Sequence, residues 1–294
     1  MRILLVLFAV VASSGGVVAF TRSAARPVAA QWVTPEPATA AVPAATPTPT
    51  PTPSPSPSAL VVLPRSLLRA QTVTINSPGF WSWALLDTNT GKINGSKNLT
   101  GTSTTASMIK AWIAADYLRL TSAAGKTPSQ ARLAELTKMI RDSDNAIAET
   151  IFQEIGTSTS IGRLISLCKL TDSKAYQTFW SNTTVSARDT ARMAACIGNG
   201  RAAGPKWTNW LLNEMRLVRG VGDFGIRDAF PPAMAKGTAI KNGWLLRDTD
   251  GNWHISCLAI GVGWTLGVLV RYPGSLGFTH GTEICRSVAA QLMR

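Results

Sequence analysis

The chain has 294 residues, a formal net charge of +13 and an apolar fraction of 45%. More than ~200 foldable residues can bury a full core, so neither a metal nor an oligomer is needed for folding, and a monomer is expected. The charge excess suits an anionic partner such as a cell envelope. The Lys and Arg residues are scattered, with no run of five or more, which argues against the clustered footprint of a nucleic-acid binder.

Met1-Arg2 precede an apolar run from Ile3 to Phe20, interrupted at Ser13-Ser14-Gly15-Gly16 and followed by small residues at Ala24-Ala25 and Val28-Ala29-Ala30. Residues 1–30 therefore read as a secretory signal peptide. The run is close to the ~18-residue length of a spanning helix, so an uncleaved anchor stays open. No cysteine lies here, which excludes lipid attachment at an N-terminal cysteine. Residues 31–58 form a Pro/Thr-rich linker ending in alternating prolines, a pattern that favours extended polyproline II. At ~3.1 Å per residue such a tether reaches on the order of 70 Å. Both segments point to a secreted or envelope-associated protein.

The folded domain is expected over 59–294. Val73-Thr74-Ile75 and Trp81 to Leu86 read as strands around Ser77-Pro78-Gly79. The pattern turns helical from Thr105 to Leu120. Ser129 is placed to cap a long helix from Gln130 to about Ile155. Further helices are expected over Ile161 to Lys169, Ala187 to Cys196 and Lys206 to Leu217. Strands return at Thr238 to Leu246, Trp253 to Ile260 and Thr265 to Arg271, the first two joined through the turn Asp248-Thr249-Asp250-Gly251. A last helix runs from Thr282 to Met293, with Ile284, Val288 and Leu292 on one face. The order makes an antiparallel sheet from the two ends of the domain and a helical lobe from its middle, with a cleft between them.

Four cysteines, Cys168, Cys196, Cys257 and Cys285, allow three pairings. Export permits disulfides. Cys168–Cys196 and Cys257–Cys285 are favoured because each pair is adjacent in the chain; four buried thiols are the alternative. No pair has the C-x-x-C spacing of a metal site.

Three motifs carry chemistry. Ser107-Met108-Ile109-Lys110 puts a hydroxyl and an amine on one side of a helix start. Free N–H groups in that first turn favour a developing anion. Serine becomes a nucleophile when a base takes its proton, and Lys110 can do so if burial or a neighbouring cation holds it neutral. Ser143-Asp144-Asn145 falls in a helical pattern where Asp and Asn are poor choices. Lys241-Asn242-Gly243 lies on a predicted strand, and its lysine can lower the pKa of the first. Two decoys exist. Ser166-Leu167-Cys168-Lys169 follows Ser143 in the wrong order, and Lys236-Gly237-Thr238 lies further from the apolar part of the strand. A Ser-His-Asp hydrolase fits poorly, since there is no G-x-S-x-G elbow and only two histidines. His254 is expected to pack or face solvent, and Trp207 and Trp210 to sit in the core.

The three motifs in this order resemble the class A serine β-lactamases and their relatives the penicillin-binding proteins, over about Ala59 to Arg294. Weaker echoes are the helix from Leu133 to Arg141 and the run from Thr183-Thr184 to Arg188-Asp189. The resemblance implies an α+β fold. Its antiparallel sheet would be flanked by N- and C-terminal helices, with an all-helical lobe inserted over about 106–235. It also implies that Ser107 is acylated, Lys110 is its base, and Ser143 relays a proton to the leaving nitrogen. Asn145, Lys241, Asn242, Gly243 and Trp244 would bind the substrate. The N–H groups of Ser107 and Trp244 would form the oxyanion hole. The implied ligand is a β-lactam or a peptidoglycan stem peptide, and no cofactor is implied.

Two departures stand out. The family carries a deacylating glutamate after the Ser-Asp-Asn helix, but here Gly156 to Asn213 contains no Glu, only Asp172 and Asp189. Asn242 also stands where Thr or Ser is usual. The short span from Ser107 to Ser143 implies a trimmed lobe. The expectation is an exported acyl-enzyme, weak at deacylation. A D-alanyl-D-alanine peptidase-type enzyme and a non-catalytic module binding peptidoglycan or a partner are the alternatives.

Overall fold

The computed structural model describes residues 66–293. The expected leader and linker (1–58) and the first residues of the domain lie outside the described residues.

Strand β1 (Phe80–Asp87) turns back through Asp87, whose carboxylate accepts from the N–H groups of Asn89 and Thr90, into β2 (Ile93–Gly95). Strand β3 (Thr102–Thr104) leads to a tight 3-10 turn at Ala106–Ile109, which runs straight into α1 (Lys110–Ala123). Then come α2 (Gln130–Arg141), α3 (Asn145–Glu154) and α4 (Ser158–Cys168). Strand β4 (Thr184–Ser186) pairs with β3, and α5 (Ala187–Gly198) and α6 (Pro205–Arg216) follow. The chain closes with α7 (Pro232–Gly237), β5 (Ala239–Ile240), β6 (Gly243–Arg247), β7 (Asn252–Gly261), β8 (Trp264–Pro273) and α8 (Gly277–Leu292).

The main sheet is antiparallel, in the order β2-β1-β8-β7-β5, with β6 also on β7. Side chains alternate between its faces. From β8, Thr265 donates to the Ala191 carbonyl of α5, whereas Tyr272 donates to the Gly277 carbonyl of α8. The two helices therefore cover opposite faces. This explains why β7 and β8 are buried along nearly their whole length. Gly267 lets α5 approach, because a Cβ there would come within 2.8 Å of the Ala187 carbonyl oxygen. The fold is α+β, and α5 joins the helical lobe to the sheet.

Helix α1 is the axis of that lobe, buried from Lys110 to Asp116 and again at Leu118. Its Trp112 donates to Ser160 of α4. Asp116 is fully buried and takes ion pairs from Arg119 and Arg163 and a hydrogen bond from Ser160, as a buried charge requires. Trp207 of α6 donates to Ser122 and packs edge-on to Trp210, a structural role. No helix among the described residues is long and apolar enough to cross a membrane. The favoured cysteine pairs lie at disulfide distance, with Cα separations of 5.4 Å for Cys168–Cys196 and 6.5 Å for Cys257–Cys285.

Four expectations need correction. Val73 to Ile75 is not a strand. Gln291 of α8 takes both backbone groups of Thr74, so the segment is tied to the helix instead of the sheet. Among the described residues no helix precedes β1; Leu68 forms only a bridge with Met293. The long helix from Gln130 is two helices. Ser129 caps the first as expected, accepting from Arg132 N–H. The break comes at Ser143, in the left-handed region with φ +62°, where Asp144 caps α3 by accepting from Ile147 N–H. The strand expected from Thr238 to Leu246 is interrupted at Lys241-Asn242. Its register runs on, with Ile240 opposite Ala259 and Gly243 opposite Ser256.

Asp116→Ala should lower the free energy of unfolding by about 3 kcal/mol, since it strands two guanidinium groups and a buried hydroxyl. Urea denaturation checks this, and an unchanged midpoint would refute the structural role.

Candidate active site

The 3-10 turn places Ser107 at the mouth of a cleft of about 270 Å3, with Asn145, Trp180 and Trp244 in its walls. Ser107 is 9% exposed. The residue before it, Ala106, has φ +43°, so the turn is strained as well as tight. The strained residues fall at the site: Ala106 immediately precedes the first motif and Ser143 opens the second. A larger groove, of about 960 Å3, lies along Phe80, Trp81 and Lys97 near the far edge of the sheet. The smaller cleft is the candidate site because it holds Ser107.

Lys110 and Lys241 are both fully buried, and their amines meet at Ser143. Ser143 Oγ accepts from Lys241 Nζ at 3.0 Å and from Lys110 Nζ at 3.3 Å. Lys110 Nζ also donates to the Ser143 carbonyl and to Asn145 Oδ1, each at 2.6 Å. Burial lowers the Lys110 pKa to about 7, against a smaller upward pull from Asp144. Lys241 is pushed well below its ordinary value by burial first and by the Lys110 charge second. A neutral Lys110 amine has two hydrogens for Ser143 O and Asn145 Oδ1. Its lone pair then faces the third contact, Ser143 Oγ at 3.3 Å.

The third motif sets the geometry of the first. A Cβ at Gly243 would collide with the Thr105 carbonyl oxygen and sit 2.7 Å from Met108 N and 2.8 Å from Ser107 N. Only glycine lets β6 press this closely on the nucleophile turn. Trp244, the next residue, lines the cleft and packs edge-on to Phe224 and Phe278. Asn242 behaves differently from expectation. It is fully buried, and its amide donates to the carbonyls of Gly222 and Phe224. It holds that loop against β6, while its buried Oδ1 has no hydrogen-bond partner.

The carboxylates after α4 are also committed elsewhere. Asp172 is bound by Arg188 and Ser186. Burial alone would raise its pKa, but these partners hold it below the ordinary value. Asp189 accepts from the N–H groups of Thr171 and Asp172, from Ser173 Oγ, and from Arg192. Neither lines the cleft. Ser103, Thr104, His254 and Asp250 form a hydrogen-bonded run that imitates a catalytic triad. Its hydroxyls are buried and outside the cleft, so it fastens β3 to β7 beneath the nucleophile turn. The decoy Lys169 ends α4 in the left-handed conformation, and it too is absent from the cleft.

Two cleft residues had not been expected from the sequence. Glu149 follows Asn145 by one turn of α3, a spacing visible in the sequence. Trp180 reaches the site from the irregular segment before β4, which no periodicity marks. Its ring lies 4.7 Å from Lys110 Nζ, and its indole N–H donates to Glu149.

No protein-family model and no curated protein sequence matches the chain. Solved structures do. The TLA-3 extended-spectrum β-lactamase aligns with a TM-score of 0.61 at 14% identity, over 74% of this chain and 95% of that one. A β-lactamase from Xanthomonas campestris gives 0.58 at 16%, over 74% and 92%. A class A β-lactamase from Mycobacterium abscessus gives 0.56 at 14%, over 72% and 92%. The chain has the β-lactamase/transpeptidase-like fold.

Two outcomes follow. If Lys110 is the base, acylation of Ser107 should rise with pH through about 7 and level off above it, because only the deprotonated amine can accept the proton; a rate falling across that range would contradict the assignment. Gly243→Ala should slow acylation by about 100-fold while the far-ultraviolet spectrum is retained, since a displacement near 1 Å carries that penalty. Wild-type kinetics in this variant would show that the contact is unimportant.

Proposed function

We propose that this chain is an exported serine acyl-enzyme of the β-lactamase and penicillin-binding kind, acting on a β-lactam or on a peptidoglycan stem-peptide amide. The observation that carries the reading is the meeting of two buried amines at Ser143 beside the cleft of Ser107. Lys110 takes the Ser107 proton as Oγ attacks the carbonyl carbon. The N–H groups of Ser107 and Trp244 hold the oxyanion. Ser143 passes a proton to the departing nitrogen, drawing on the amines that it already bridges. Asn145 binds the substrate's side-chain amide at the rim, and Lys241 directs the ligand carboxylate.

Export is supported by the leader read at 1–30, the linker and the cysteine pairs at disulfide distance. The net charge of +13 suits an anionic envelope. Release of the acyl group should be slow, because Asp172 and Asp189 are held by arginines and lie outside the cleft. That favours a penicillin-binding or D-alanyl-D-alanine peptidase-type activity over fast lactam hydrolysis. A purely binding module is the weaker reading, since binding alone gives no reason to keep two lysine amines buried and in contact with one hydroxyl.

Incubation with a fluorescent penicillin, followed by peptide mass mapping, should place one adduct on Ser107, and Ser107→Ala should abolish it. Absence of any adduct would overturn the acyl-enzyme reading in favour of a binding module.

A further inference from the structure

An acyl group on Ser107 can leave as an acid only if a water attacks it and some group takes the water's proton. Among the residues that line the cleft, Glu149 is the one acid. It stands on α3, on the same face as Asn145. Its Oε2 accepts from Trp180 Nε1 at 3.1 Å and its Oε1 from Gln153 Nε2 at 2.7 Å. A carboxylate has about four lone-pair positions, so the two that remain can hold a water. Trp180 is itself buried, and its carbonyl accepts from the N–H of Thr183 just before β4. The carboxylate is therefore directed by a fixed ring.

We propose that Glu149 binds and activates the water that frees Ser107, with Trp180 as its positioning residue. The proposal rests on the acyl-enzyme reading above and adds the step that ends the cycle. The water oxygen bonds to the acyl carbon while one of its protons passes to the Glu149 carboxylate. The bond between the acyl carbon and Ser107 Oγ breaks, and Oγ takes that proton from Glu149. The products are a free carboxylic acid and an unmodified serine; water is the only co-reactant. Both Glu149 oxygens already accept one hydrogen bond each, which leaves one further position on each for the water.

Intact-mass spectrometry of the full chain with a fluorescent penicillin separates labelling from release. In Glu149→Gln, the ratio of labelling rate to release rate should rise by at least about a hundredfold over the parent, the lower end for loss of a general base. The labelling rate itself should stay at the parent's value in the Gln variant, whereas a structural role would slow both steps. If Glu149→Gln fails to give the parent's circular dichroism spectrum, Trp180→Phe is read instead, with a slower release at an unchanged labelling rate expected. An unchanged ratio, with an adduct present, overturns the Glu149 assignment alone. No adduct in the parent overturns the Ser107 reading and this proposal together.

Discussion

Two lysine amines share one serine hydroxyl inside the protein, and much of the architecture serves that contact. Removing an ammonium group from water costs several kcal/mol, and placing a second beside it adds repulsion. The molecule relieves this by letting protons go: burial lowers both pKa values, that of Lys110 to about 7. Under the proposed acyl-enzyme reading, that relief supplies the base. A lysine that is partly neutral near pH 7 can take a proton, which an exposed lysine cannot. While Lys110 carries its third proton, the hydroxyl between the amines accepts from both.

Holding that contact needs elements from three places in the chain. Ser107 and Lys110 come from the turn into α1, Ser143 from the break between α2 and α3, and Lys241 from the gap between β5 and β6. Each is a point where regular structure is interrupted. Ser143 in the left-handed region turns its carbonyl and hydroxyl to the same amine. Gly243 removes the Cβ that would hold β6 away from the turn. Asn242 clamps the Gly222–Phe224 loop through its amide N–H groups, which fixes the segment beside Lys241. Regular helices and strands could not bring these groups together, because a continuous α2–α3 helix would direct Ser143 by its helical phase alone.

This also explains what the sequence could and could not reveal. The long apolar patterns of β7, β8 and α1 were legible because core burial writes itself into composition. The three motifs were legible because the chemistry needs those residue types in that order. The helix break at Ser143 was signalled by Asp and Asn in a helical stretch, yet periodicity on both sides argued for continuity. Val73 to Ile75 has the composition of a strand, but its partner is the side chain of Gln291, more than two hundred residues away, which no local pattern records. Glu149 lay within reach of sequence reasoning at one turn from Asn145. The glutamate that the resemblance implies would fall between Gly156 and Asn213 instead. There the two Asp residues turned out to be engaged with arginines and with the backbone.

Trp180 resolves a conflict that the site would otherwise contain. A base for Ser107 must be an amine of low pKa, and a base for water must be an anion. A carboxylate in direct contact with Lys110 would stabilise its ammonium form and raise its pKa, disabling the first step. The indole stands between them with its two unlike sides. Its face, negative in quadrupole, lies 4.7 Å from the Lys110 amine, and its N–H edge donates to the Glu149 carboxylate. The acidic group that does act on Lys110 is Asp144, and its pull is smaller than the effect of burial. One aromatic ring thus lets an amine and an acid occupy the same small cleft without forming the ion pair that would silence both.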